Sequence, residues 1–407
     1  MRTEEKLLLP TYDRHKILFR KGRGVYLYDS TGRRYLDFLS GIGVNALGHA
    51  HPAVRKAINA QAGKLIHISN LFFHDYQAEL AQRLAKISGL DRVFFCNSGT
   101  EAWEGALKLA RAYARANNSN GKEPRWRILA MENSFHGRTF GALSTTGQEK
   151  YREPFGPMLP GVEFVRFNDI ADLKKKFDST VCAIGFEVIQ GEGGIRQLSP
   201  EFVRTARSLA TKNHALLICD EIQSGLGRTG EWFAYQHYGI KPDLLTIAKP
   251  LAGGLPLGAL LTTDRVARAI HPGLHGTTFG GGPLTCAVAL AVLDTIERGK
   301  LVTRNRKIGD YFRKQLESLR KNHTSVREVR GMGLMLGVEL DSADLAKSTV
   351  ETMLQRGYVI NRTNQTVLRF LPPFIIKKKH IDALVSALDE ALTESASKKD
   401  SVARRKK

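Results

Sequence analysis

A central, mainly parallel α/β sheet covered by helices, with a smaller α+β domain built from both chain ends, is the fold class that the sequence predicts. Three observations predict it. Short apolar, β-branched segments recur through the middle of the chain: WRILAMEN, VEFVRF, VCAIGFEVI, ALLICDEI and LLTIAK. Helical patterns such as PEFVRTARSLATKNH separate them, and that alternation marks a parallel sheet with helices on both faces. Both ends read differently. GVYLYDSTGRRYLDFL is patterned as a hairpin turning at Ser30-Thr31-Gly32, and VREVRGMGLMLGVEL as strand, glycine turn, strand.

These patterns divide the chain into residues 1–50 as the N-terminal part of the small domain and 51–300 as a large domain suited to a cofactor. Residues 301–392 form the C-terminal small domain, and 393–407 are expected to be a basic, disordered tail. At 407 residues and 42% hydrophobic content the chain is long enough for such a core. No apolar run approaches the ~20 residues of a membrane helix, and the start MRTEEKLLLPTYDRHK is charged around a very short apolar patch. The expectation is a cytoplasmic protein without a membrane segment. Cys96, Cys182, Cys219 and Cys286 are widely spaced with no C-x-x-C pair, which suits reduced core thiols.

The charge is unusual. Lys plus Arg number 61 against 40 Asp plus Glu, a formal +21. Such a field favours nucleic acid or small anions. The closing SKKDSVARRKK holds six basic residues and one acid, a composition common in solvated ends. No zinc-finger, RNA-binding or aromatic-interleaved basic motif accompanies it, so nucleic acid is not an expected partner. The histidines at 49, 51, 136, 237 and 275 have no ligand-set spacing; they read as structural or supporting residues, and no metal is expected.

Ligands of a parallel sheet collect at the carboxyl ends of its strands, and three strand ends here carry reactive groups. VFFCNSGTEAWEGALKLARAYA reads as a strand, a Ser98-Gly99-Thr100 turn and a helix opening near Glu101. Free amides and a hydroxyl at a helix N-terminus cradle phosphate, although Ser or Thr there is also an ordinary cap. The apolar run that opens LLICDEIQSG gives way to Asp220 and Glu221, of which alternation sends one inward; an inward carboxylate pairs with a protonated ring nitrogen, or caps the turn. The apolar run that opens LLTIAKPLAGGLP ends on Lys249, 29 residues after Asp220. A strand-end lysine either snorkels to water or, desolvated, acts as a nucleophile that forms Schiff bases. Together, a phosphate cradle, an aspartate and a lysine match the needs of pyridoxal 5'-phosphate.

Six ordered stretches carry a resemblance across nearly the whole chain: FLSGIGVNALGHAHP, FFCNSGTEA, NSFHGRTFGALSTTGQEKYREPFGPMLPGV, EVIQGEGG, DEIQSGLGRTGEWFAYQHYGIKPDLLTIAKPLAGGLPLGA and HGTTFGGGPL. The sequence resembles the class III aminotransferases of pyridoxal-phosphate fold type I, most closely the acetylornithine type. The resemblance implies that Lys249 and Asp220 are catalytic, with Lys249 holding the cofactor aldehyde as an imine and Asp220 pairing with the pyridine nitrogen. It places Gln223 near the ring hydroxyl, Ser98, Gly99 and Thr100 at the phosphate, and Phe135 over the ring. Thr278 would reach the phosphate of the other subunit of a homodimer, with the sites at the interface. Arg138, Glu192, Thr277 and Arg369 would bind substrate, Arg138 taking a carboxylate and Glu192 covering Arg369 while the amine donor is bound. Without the resemblance, FHGRT reads first as a loop with an incidental arginine.

The implied reaction moves the terminal amino group of N2-acetyl-L-ornithine to 2-oxoglutarate. Ile42 in GIGVN suits an acylated α-nitrogen. 4-Aminobutyrate, succinylornithine, succinyl-diaminopimelate or ornithine remain alternative donors, and an inactive basic scaffold is a remote one. The chain departs from the resemblance at Trp103, Gly105 and Pro250, and Trp103 is expected to alter the mouth of the site.

Overall fold

The computed structural model describes residues 2–118, 123 and 125–405. Its strands, in chain order, are β1 (Phe19–Arg23), β2 (Tyr26–Asp29), β3 (Arg34–Asp37), β4 (Arg92–Cys96), β5 (Arg127–Met131), β6 (Val162–Val165), β7 (Val181–Phe186), β8 (Ile189–Gln190) and β9 (Arg196–Gln197). They continue with β10 (Leu216–Asp220), β11 (Leu244–Ile247), β12 (Gly258–Thr262), β13 (Val326–Met332), β14 (Met335–Leu340), β15 (Tyr358–Val359), β16 (Asn361–Thr363) and β17 (Val367–Phe370).

The central sheet has seven strands in the order β4-β12-β11-β10-β7-β5-β6. Only β12 runs against the others, pairing antiparallel with both β4 and β11, while β11, β10, β7, β5 and β6 pair in parallel. Every residue of β7, β10 and β11 is buried. Burial on both faces is what their unbroken apolar runs require.

The smaller sheets tie the chain ends together. In one, β1, β2 and β3 are joined by β15 from the C-terminal region, which pairs in parallel with β3. The β2–β3 turn falls at the expected place because Asp29 Oδ1 accepts the Thr31 and Arg33 amides at 2.9 and 3.0 Å. The other sheet runs β13-β14-β17-β16, its β13–β14 hairpin turning at Gly333, where φ is 53°. A second core, including Phe38, Phe312, Phe370 and Phe374, lies beneath these sheets.

Two expectations change. The helix after β4 spans Gly99–Ala116 and so opens two residues before Glu101, because Ser98 is its cap and accepts the Glu101 amide. The last helix runs Lys378–Arg405, so most of the segment expected to be a disordered tail continues the helix. That segment contains no Gly or Pro, and its Ala, Lys, Arg and Glu are good helix formers. No helix among the described residues is long and apolar enough to cross a membrane.

Candidate active site

A cavity of about 470 Å³ opens at the carboxyl ends of β4, β7, β10 and β11. Lys249 lines it, two residues beyond the end of β11. The chain turns directly afterwards through Gly253 and Gly254, both at positive φ. Burial pushes the Lys249 amine below the ordinary lysine value, with Glu192 and Asp220 pulling it up, Arg369 pushing it down and Glu187 pulling it up again. The lysine is thereby desolvated without losing its nearby carboxylates.

Asp220 and Glu221 part as strand alternation requires. Asp220 lines the cavity and receives a 2.7 Å contact from Nδ1 of His136 and the Ile222 amide at 3.1 Å. Glu221 turns into the core, where it accepts from Ser224 Oγ at 2.6 Å and the Tyr235 amide at 2.8 Å. Burial pushes the Glu221 carboxyl up to about 7.

Ser98, Gly99 and Thr100 form another wall, at the N-terminus of the 18-residue helix Gly99–Ala116. Asn97 offers its amide and side chain to Glu101 Oε2 at 2.7 and 3.0 Å, while Ser98 Oγ accepts the Glu101 amide. A Cβ on Gly99 would lie 2.7 Å from Ile222 Cδ1, so only glycine lets this turn approach the strand end that carries Asp220. A helix N-terminus carries partial positive charge and free amides, which favour an anion.

Glu192 projects from the hairpin between β8 and β9, and Arg369 lies on β17. They form an ion pair, and Arg369 also donates to Gln223 Oε1 at 3.3 Å and to Asn361 Oδ1 at 3.2 Å. Arg369 is buried. Burial alone would raise the Glu192 carboxyl, but the Arg369 charge and hydrogen bond, helped by Lys249 and Thr363, hold it below the usual range. Arg138 is exposed and lines the cavity. It meets no carboxylate among the described residues; its guanidinium lies 4.0 Å from the Tyr151 ring centroid and 5.5 Å from that of Phe135. Phe135 and Gln223 line the cavity as well.

The structure brings Ser98, Gly99, Thr100, Phe135, Arg138, Glu192, Asp220, Gln223 and Lys249 to one cavity, with Arg369 bonded behind Glu192. Thr277 and Thr278 are not part of that wall in their own chain. Thr277 Oγ1 accepts from Asn97 at 3.3 Å, and Thr278 is exposed.

The Aminotransferase class-III family profile matches residues 10–392. The chain belongs to the class III aminotransferases. The acetylornithine aminotransferase of Caldanaerobacter subterraneus subsp. tengcongensis is 49% identical over 96% of this chain and 98% of its own. The Methanocaldococcus jannaschii acetylornithine aminotransferase is 47% identical over 96% and 97%. Among solved structures, the Toxoplasma gondii ornithine aminotransferase superposes with a TM-score of 0.93 at 32% identity, covering 98% of this chain and 95% of that one. The Elizabethkingia anophelis acetylornithine aminotransferase gives 0.86 at 31%, covering 97% and 98%.

This class III aminotransferase holds site residues that sequence reading passed over. His136 was read as one histidine among several, yet it lines the cavity and contacts Asp220. Glu187 stands at the head of EVIQGEGG with no role given; its carboxylate accepts the Phe135 amide at 3.0 Å and the Gly191 amide at 2.9 Å, so it ties together the loops that carry Arg138 and Glu192. Burial first, then the Asp220 charge, raise the Glu187 carboxyl to about 8. Its position at the end of the wholly buried β7 was the available signal. Trp103 is not at the mouth: it is fully buried behind His136, because its indole packs into a slot opened by Gly185. Ile42 is half-buried and packs on the core, while Val44 lines the cavity.

Proposed function

We propose that this class III aminotransferase uses pyridoxal 5'-phosphate to transfer the terminal amino group of N2-acetyl-L-ornithine to 2-oxoglutarate. The products are N-acetyl-L-glutamate 5-semialdehyde and L-glutamate, a step of arginine biosynthesis. The observation that carries this reading is the pairing of two arginines with one lysine-bearing cavity. Arg369 is covered by Glu192 and Arg138 is open, which suits an enzyme that binds a monocarboxylate amine and a dicarboxylate in turn. The acylated donor rests on relatives named acetylornithine aminotransferase that match nearly the full chain at 42% to 49% identity.

The residues fit the cofactor. The close approach of Gly99 to Ile222 sets the helix opening in the cavity wall, where free amides suit a phosphate, and Asp220 and Lys249 stand at neighbouring strand ends. Bound there, the cofactor supplies an electron-poor ring that stabilises negative charge on the carbon losing its proton. Ser98, Gly99 and Thr100 would hold the phosphate, Phe135 would cover the ring and Gln223 would lie beside its hydroxyl. Asp220 would keep the ring nitrogen charged. Lys249, its pKa lowered chiefly by desolvation, moves the proton as general base and acid. Arg138 takes the donor carboxylate in a bidentate contact, and Arg369 takes the second carboxylate of 2-oxoglutarate once Glu192 moves aside.

The enzyme works as a homodimer in this reading. Leu71, Phe72, Phe73 and Phe279 are all more than half exposed, and Asn70 bonds Thr277 and Gly280 carbonyls, so these apolar groups share one face with Thr278. A two-fold partner on that face would bury them and bring its Thr278 to the phosphate.

Steady-state rates on a panel of ω-amines with 2-oxoglutarate test the substrate. Acetylornithine should give the highest kcat/KM; a clear preference for ornithine or 4-aminobutyrate would replace it as the donor. Lys249→Ala should abolish turnover with every amine.

A further inference from the structure

A line of aromatic and polar groups runs behind Asp220. The His136 ring lies parallel to the Trp103 indole, with centroids 3.7 Å apart and planes 4° from parallel. Trp103 Nε1 donates to Thr145 Oγ1 at 2.8 Å. Trp103, His136 and Asp220 are 0%, 2% and 3% exposed. The indole fits because residue 185 of β7 is glycine; a Cβ there would stand 2.6 Å from its Cη2.

His136 is anchored on one side only. Nδ1 meets Asp220 Oδ2, while the buried Nε2 has no hydrogen-bond partner. With its proton on Nε2, the ring would leave an N–H unsatisfied and turn the Nδ1 lone pair against a carboxylate oxygen, two unfavourable contacts at once. The proton therefore sits on Nδ1 and is donated to Asp220. One hydrogen bond fixes a direction but not the plane of a ring. The plane is set by what lies against its face, and that is the indole. The indole is itself held in rotation by the Thr145 bond and by the slot over Gly185.

We propose that Trp103 is a positioning residue for the cofactor's ring nitrogen: its face holds His136 in the plane in which Nδ1–H meets Asp220, and so fixes the carboxylate oxygen presented to the cavity. This rests on the reading of Asp220 as the partner of the pyridine nitrogen. It predicts that an aromatic face is what residue 103 must supply, whereas a chain of similar bulk without a ring plane will not serve.

The test compares wild type, Trp103→Phe, Trp103→Leu and Asp220→Asn by nitrogen NMR of labelled histidine in the cofactor-free protein, with His136→Gln to assign the signal. Equilibrium dissociation of pyridoxal phosphate is measured on the same set. Wild type should show His136 with a slowly exchanging proton on Nδ1, and Trp103→Phe should keep it with cofactor affinity within about twofold. Trp103→Leu should show mixed tautomers or fast exchange and a Kd raised by about tenfold, the scale of one misaligned hydrogen bond. A wild-type proton on Nε2 overturns the inference, and that measurement stands whether or not Trp103→Leu folds. So does a folded Trp103→Leu that matches wild type, or a Trp103→Phe that loses as much as Trp103→Leu. Asp220→Asn separates the two readings. If it leaves cofactor affinity unchanged, the assignment of Asp220 fails; if it weakens affinity while Trp103→Leu does not, only the role of Trp103 fails.

Discussion

Glu192 and Arg369 are ion-paired across two sheets, the glutamate on the hairpin that leaves the central sheet and the arginine on β17 of the small one. The arginine is buried and the glutamate is partly open to the cavity. Such a pair is poised to exchange one carboxylate for another. Removing either partner leaves the other charge with fewer contacts, and the cost falls mainly on the buried arginine.

Arg369→Ala should therefore impair the half-reaction with 2-oxoglutarate far more than the half-reaction with the amine donor. Arg138→Ala should impair the donor half-reaction, with a loss of roughly 2 to 5 kcal/mol in transition-state binding for a charge-assisted contact that the bound donor shields from water. Single-turnover absorbance of each half-reaction checks both. Equal losses in both halves for Arg369→Ala would remove the switch.

The pH dependence of stability follows from Glu187 and Glu221. Their carboxyls are raised to about 8 and about 7, so between the ordinary carboxyl range and those values the folded chain binds protons that the unfolded chain has released. Stability contributed by these groups is complete below pH ~4.5 and is lost as pH rises through 7 and 8. Glu187→Gln in cofactor-free protein should flatten that fall by up to about 1.4 kcal/mol per pH unit. Urea unfolding at several pH values measures it, and an unchanged slope would mean that Glu187 is ionised in the folded state.

Legibility followed sequence distance. The β2–β3 hairpin, the strand run LLTIAK and the split between Asp220 and Glu221 are fixed by neighbours within a few residues, so alternation and turn chemistry disclosed them. The Trp103–His136 stack joins residues 33 apart, and the His136–Asp220 contact joins residues 84 apart. No local pattern records which helix position faces which loop, so Trp103 was misplaced at the mouth and Glu187 was passed over. The Glu192–Arg369 pair was legible only through resemblance. The terminal helix was misread because a basic composition suits a solvated helix and a disordered end equally well.

The exposed face around Phe73 and Phe279 predicts a dimer whose loss costs activity. Phe73→Asp with Phe279→Asp should shift the protein to a monomer in sedimentation. The monomer should hold pyridoxal phosphate more weakly, because Thr278 would no longer reach a neighbouring phosphate. A monomer with full cofactor retention would refute the shared site.

The net charge is the last feature to assign. Exposed charges are screened within ~8 Å at physiological salt, whereas the arginines at the cavity would act through direct contacts with substrate. The helix is anchored before Ser397: Ala391 and Leu392 are buried, and Arg356 pairs with Glu390 and Glu394. Removing Ser397 to Lys407 takes away six basic residues and one acid but none of these contacts. Turnover and KM should stay within about twofold of wild type, and stability within about 0.5 kcal/mol, as for surface changes away from packed groups. Arg138→Ala in the same assay supplies the contrast. If the deletion cripples catalysis while Arg138→Ala is harmless, the charge works at the tail and Arg138 does not bind the carboxylate.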